Sequence, residues 1–127
     1  VTTEARNALH ESIEEARDFW HAYLWHHRHP RTRLLHRVGS WVCILGFAMT
    51  ASGYGWLWTP AAIAVGYGFA FAGHWFVERN RPMTFSNPVR AAIGNWTMFV
   101  YEMFWDVEIA LALLALNPPS TEDVGDQ

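Results

Sequence analysis

The chain has 127 residues, 51% of them hydrophobic, with eight Trp and eight Phe, and a formal charge of −3. All nine basic residues are Arg, set against twelve acidic ones, and this balance speaks against a nucleic-acid surface. A single cysteine, Cys43, excludes an intrachain disulfide, and the length fits one domain, expected over residues 1–116.

Residues 3–27 carry helical periodicity. Leu9, Ile13, Ala16, Trp20, Tyr23 and His27 follow steps of three and four and predict an inward face, while His10, Glu14, Arg17 and His21 fall on a solvated one. Pro30 breaks the ladder and starts a second helix over about 31–51. No charged residue occurs from Val38 to Trp58, and from Thr59 to Val77 there is again none, apart from the ionisable His74. Each run is long enough for a helix to cross a hydrocarbon core, so together they predict a transmembrane hairpin. The soluble alternative is a buried helical pair inside a compact bundle.

The turn of the hairpin holds Tyr54, Trp56 and Trp58, residue types that settle at a membrane interface. A third helix is expected over 60–78. Asn80, as a left-handed cap, and Pro82 should stop it. Asn87 and Pro88 open a fourth helix over 88–116, interrupted by Glu102, Asp106 and Glu108, and residues 117–127 read as a disordered acidic tail. The expected fold is all-α: a small membrane helical bundle with an amphipathic first helix, a transmembrane hairpin and a fourth helix.

Arginine placement orients the hairpin. Arg28, Arg31, Arg33 and Arg37 precede the first apolar run, Arg79, Arg81 and Arg90 follow the second, and the connection is uncharged. Both open ends should therefore face the cytoplasm. His36 enters and His74 leaves on that side. Beneath His36 lies a stripe of Gly39, Cys43, Gly46 and Thr50, and beneath His74 lie Ala70 and Gly66. Small residues at these steps allow close helix approach in a membrane, so His36 and His74 should face each other, with His27 arriving from the first helix.

Ionisable groups at membrane depth are functional candidates, and clustered imidazoles suit iron, zinc, copper or nickel. Glu78, one turn after His74, is placed to share an ion or to orient an imidazole. The bland alternative is interfacial histidines bonded to headgroups. No HExxH, Gly-rich phosphate loop, GxSxG or CxxC pattern occurs.

The stretches FWHAYLWHHRHPRTRLLHRVG and GYGFAFAGHWFVERNRPMTF resemble the small membrane proteins catalogued as domain of unknown function 962. That family includes the iron-dependent 2-hydroxy fatty acid dioxygenase of phytosphingosine breakdown. The resemblance covers about residues 19–100. It implies an Fe(II) site at His27, His36 and His74, with His26 as a candidate fourth ligand, and Glu78 matching the family glutamate. It further implies a dioxygenase that uses O2 to shorten a 2-hydroxy long-chain fatty acid by one carbon. Arg81, or Arg31, Arg33 or Arg79, would steer the substrate carboxylate. The alternatives kept open are a zinc hydrolase with Glu78 or Glu102 as base, and a non-catalytic membrane module whose helices assemble with a partner; homo-oligomeric assembly of the chain is left open in each reading.

Overall fold

The computed structural model describes residues 1–119, so the expected disorder of the tail lies, from residue 120 on, outside the described residues. Helix α1 spans Thr3–His26, α2 Pro30–Ala51, α3 Trp58–Ala72, α4 Pro88–Phe104 and α5 Val107–Leu116. A π-helical turn, Gly73–Glu78, continues α3, and a 3-10 turn, Met83–Phe85, leads into α4. The fold is all-α, with no strand among the described residues.

The helix starts follow from local chemistry. His29 Nδ1 accepts the Arg31 amide at 3.2 Å ahead of Pro30, and the Asn87 side chain accepts the Arg90 amide at 3.3 Å ahead of Pro88. Each pair joins a side-chain cap to a proline whose missing N–H costs nothing in a first turn.

α2 and α3 form the hairpin, and glycine sets their separation. A Cβ on Gly39 would come within 2.6 Å of the Gly66 carbonyl oxygen, and one on Gly66 within 2.7 Å of Cys43 Sγ. Any larger residue there would push the backbones apart. Both arms of the hairpin, Pro30–Ala51 and Trp58–Glu78, are long and apolar enough to cross a membrane, yet only 22% of each span is buried within the bundle. Helices of a soluble core would hide most of that surface. Here Trp41, Leu45, Phe47, Val65 and Phe76 stand exposed, as side chains that meet lipid do.

The core proper lies beside the hairpin. Tyr23 and Leu24 of α1 pack with Met83, Met98 of α4, and Val107 and Leu111 of α5. Gly94 makes this possible, since a Cβ there would fall 2.7 Å from the Tyr23 ring. The inward stripe of α1 is shorter than its periodicity implies: Tyr23 and His27 are buried, but Leu9 and Ile13 are 61% and 59% exposed. The helix is about 36 Å long at 1.5 Å per residue, and α4 and α5 pack only along its C-terminal part.

The single fourth helix expected over 88–116 is two helices. The chain leaves helical geometry at Trp105 (φ −135°, ψ 159°), and Asp106 caps α5 by accepting the Glu108 amide at 2.9 Å. The cause is Arg33, buried to 3% exposure, which pairs with Glu102 at 3.3 Å and with Glu108. On an unbroken helix those carboxylates would point about 120° apart at 100° per residue. The break turns both toward one guanidinium, and it removes the repulsive Glu102–Asp106 spacing.

Candidate metal centre

Three elements deliver one imidazole each. His27 follows the last turn of α1, His36 lies on α2, and His74 sits in the π turn beyond α3. Exposure is 0% for His27, 6% for His36 and 2% for His74. Arg33 Nη1 holds the loop after α1 by donating to the carbonyls of His27 at 3.0 Å and Arg28 at 2.7 Å. The π turn aims His74. Its carbonyl accepts amides from both Arg79 and Asn80, the latter at 3.0 Å, and Arg79 reverses the chain at φ 58°, ψ 41°. The left-handed residue is thus Arg79 rather than Asn80, because the Asn80 side chain is engaged with the histidine.

The hydrogen bonds at Nδ1 favour one tautomer for each ring. His27 Nδ1 faces the Tyr23 carbonyl at 2.7 Å, and a carbonyl can only accept, so Nδ1 carries the proton. His74 Nδ1 donates to Asn80 Oδ1 at 2.7 Å, and the orientation of that amide is set by its Nδ2, which donates to the His26 carbonyl at 3.1 Å. His36 Nδ1 donates to Asn95 Oδ1 at 2.9 Å, while Asn95 Nδ2 donates to Ser40 Oγ at 3.1 Å. A neutral imidazole has one N–H. In that tautomer all three Nε2 atoms present bare lone pairs.

Those lone pairs converge. His36 Nε2 and His74 Nε2 lie 3.2 Å apart, and His27 Nε2 is buried without a hydrogen-bond partner. One ligand atom from each ring lies within 4.8 Å of the other two. The rings stand nearly perpendicular to one another, with interplanar angles of 80–89°. Metal–nitrogen bonds of about 2.0–2.1 Å place neighbouring nitrogens roughly 3 Å apart, which is the spacing found between His36 and His74. Acceptors on Nδ1 with free Nε2 atoms are the usual support for metal-bound histidine. Protonation offers no escape for His27: burial, and then the neighbouring His36 and His74, hold its pKa well below the ordinary histidine value. The donor set fits a divalent transition metal.

A family model described as 2-hydroxy-palmitic acid dioxygenase Mpo1-like matches residues 13–107, a segment that contains all three histidines, Asn80 and Asn95. The chain belongs to the Mpo1-like family. No curated protein and no solved structure matches it.

Within this Mpo1-like chain the other candidates from the sequence take different places. Glu78 does not join the cluster; its carboxylate accepts the His29 amide at 2.6 Å and ties the start of α2 to the end of the π turn. His26 is buried beside the site but bonds its Nδ1 to the Ala22 carbonyl at 3.0 Å and lies outside the converging group. Arg81 is exposed and rests over the Phe85 ring, 5.6 Å from its centroid. Asn80 and Asn95 are the residues that sequence reasoning missed. Asn80 lies inside the ERNRP stretch and is legible there only as a helix stop, and Asn95 carries no local signal.

The histidines line a cavity of about 210 Å³. Tyr23 forms part of its wall and stacks on His27 with centroids 4.1 Å apart, and burial raises its pKa, keeping the hydroxyl protonated. Among the described residues, neither a carboxylate nor an arginine lines this cavity.

Proposed function

We propose that the chain is an integral membrane, non-haem Fe(II)-dependent dioxygenase that shortens 2-hydroxy fatty acids by one carbon, with its metal site near the cytoplasmic face. The observation that carries this reading is the convergence of three deprotonated Nε2 atoms on one point, each ring locked by an acceptor at Nδ1. A bound Fe(II) would supply the electron chemistry toward O2 that no side chain in the cavity possesses.

The residues around the cluster define the rest. Three neutral imidazoles leave a divalent ion's charge uncompensated, and no acidic side chain in the cavity reduces it. An anionic, chelating substrate is therefore favoured there, and a 2-hydroxy carboxylate offers adjacent oxygens of that kind. No arginine is needed to receive the carboxylate, which agrees with Arg33 being committed to Glu102 and Glu108. The hydroxyls of Tyr23 and Tyr67 and the Thr84 side chain, all from residues on the cavity wall, are neutral polar groups available to orient bound oxygen atoms.

A zinc hydrolase receives less support. It needs a carboxylate base, and Glu78 is engaged with the His29 amide while Glu102 faces Arg33 and Arg37. The test is anaerobic Fe(II) reconstitution of the detergent-purified chain, followed by O2 and a 2-hydroxy long-chain acid. A fatty acid one carbon shorter, with iron lost when His27, His36 and His74 are all replaced by Ala, is the expected result. Iron retained by that variant, or stoichiometric zinc with no O2 uptake, would overturn the proposal.

A further inference from the structure

We infer that the apolar cleft between α3 and α4 is the path along which the substrate's acyl chain reaches the histidine cluster from within the bilayer. This rests on the dioxygenase reading above and adds the route and the chain-binding surface. α3 and α4 each pack on neighbours and leave a gap between them, and the cavity that holds the histidines fills that gap. Its inner end is polar, with His27, His36 and His74. Away from them the walls are Ile63, Tyr67 and Phe71 on α3 and Ala92 and Trp96 on α4.

Two features choose the occupant. The first is depth. Ile63, Tyr67 and Phe71 lie in the middle of the span Trp58–Glu78, and Ile63, Tyr67 and Trp96 are 36%, 38% and 37% exposed, so the cleft opens sideways onto the surface that faces hydrocarbon. A water-soluble acid would have no reason to arrive there. The second is size. Eleven residues separate Ile63 from His74, about 16 Å at the helical rise, whereas a partner helix about 10 Å across would not fit into about 210 Å³. A single extended alkyl chain fits, its carboxylate end at the histidines and its tail in the cleft and beyond its mouth.

The tail could come from the 2-hydroxy acid or from a bilayer phospholipid, since both present the same methylene chain. A 2-hydroxy fatty acid carrying a mid-chain diazirine is photolysed without O2 on the Fe(II)-loaded protein in phosphatidylcholine nanodiscs. A phosphatidylcholine with the same diazirine chain serves as the second arm. Label from the hydroxy acid on residues 63–71 and 92–96, reduced about tenfold or more in Ala92→Trp and in Ala70→Trp, is the expected result. It should also fall in His36→Ala, which removes the anchor for the head while leaving the cleft open. Iron content of the two Trp variants shows that they remain folded, and if one loses iron the other decides.

Where turnover is measurable, the preference for long over short 2-hydroxy acids should fall by about the same factor in the Trp variants. Label outside the cleft, equal labelling by the phospholipid, or labelling indifferent to both Trp substitutions would overturn the inference. Because labelling needs no turnover, failure of the dioxygenase activity would leave this test decisive for the cleft.

Discussion

Removing the Asn80 side chain separates metal tuning from simple packing. Its Oδ1 accepts the His74 Nδ1 proton at 2.7 Å, and its Nδ2 donates to the His26 carbonyl at 3.1 Å. Asn80→Ala deletes both bonds. Without an acceptor, His74 is free to move its proton to Nε2, the position the metal must occupy. Loss of such a supporting partner typically weakens metal binding 10–100-fold, or about 1.4–2.8 kcal/mol. Asn80→Asp keeps the acceptor, makes it anionic and abolishes the donor. If orientation and basicity of His74 are what matter, Asn80→Asp binds metal as tightly as the parent or more tightly. If the tether to the His26 carbonyl matters instead, Asn80→Asp falls with Asn80→Ala. Competition titration of Fe(II) or Co(II) against a chelator reads the three proteins directly. Parent-like affinity in Asn80→Ala, or equal weakening in both variants, would refute the tautomer argument.

Other substitutions probe the frame around the site. Gly39→Ala drives a methyl into the Gly66 carbonyl at 2.6 Å and should cost about 1–3 kcal/mol of stability in reversible unfolding in detergent, with metal content falling as His36 moves from His74. Arg33→Met leaves Glu102, whose side chain is 7% exposed, facing only Arg37; a loss of about 3–5 kcal/mol is expected, with partial recovery in Arg33→Met/Glu102→Met, measured as a double-mutant cycle. Acid should act through His27. Its pKa is lowered in the fold, so the unfolded chain takes up a proton that the folded chain refuses; metal-free stability is held above about pH 6.5 and lost as pH falls below it. His27→Leu should flatten that slope in detergent melts at stepped pH, and a slope unchanged by the substitution would assign it elsewhere.

The histidine convergence is legible before the fold because two independent patterns locate it. Arginines at the open ends of the hairpin put His36 and His74 on one side, and Gly39 and Gly66 let the backbones close until the rings meet. Glu78 departs from expectation for a physical reason: its carboxylate is taken by the His29 amide, 49 residues earlier in the chain, and the four-residue spacing from His74 carries no trace of that partner. The fourth helix reads as too long because its apolar content runs on past Asp106, whereas the break is decided by Arg33, some 70 residues earlier. Asn95 is invisible for the same reason, since its partners His36 and Ser40 are on another helix. Contacts of that kind leave no periodicity along a chain.

The turn from Gly73 to Glu78 is an α-helix with one residue more than its ladder requires. Such a surplus is a matter of counting. Deleting one residue between Trp75 and Val77 would let the ladder close in the ordinary way and swing the downstream chain by about 100°. His74 would keep its own place at the end of α3 while Asn80 and Glu78 were carried off in another direction. No substitution at those positions reproduces that change, because it alters phase rather than chemistry. The site is specified as much by the number of residues between His74 and Asn80 as by their identities.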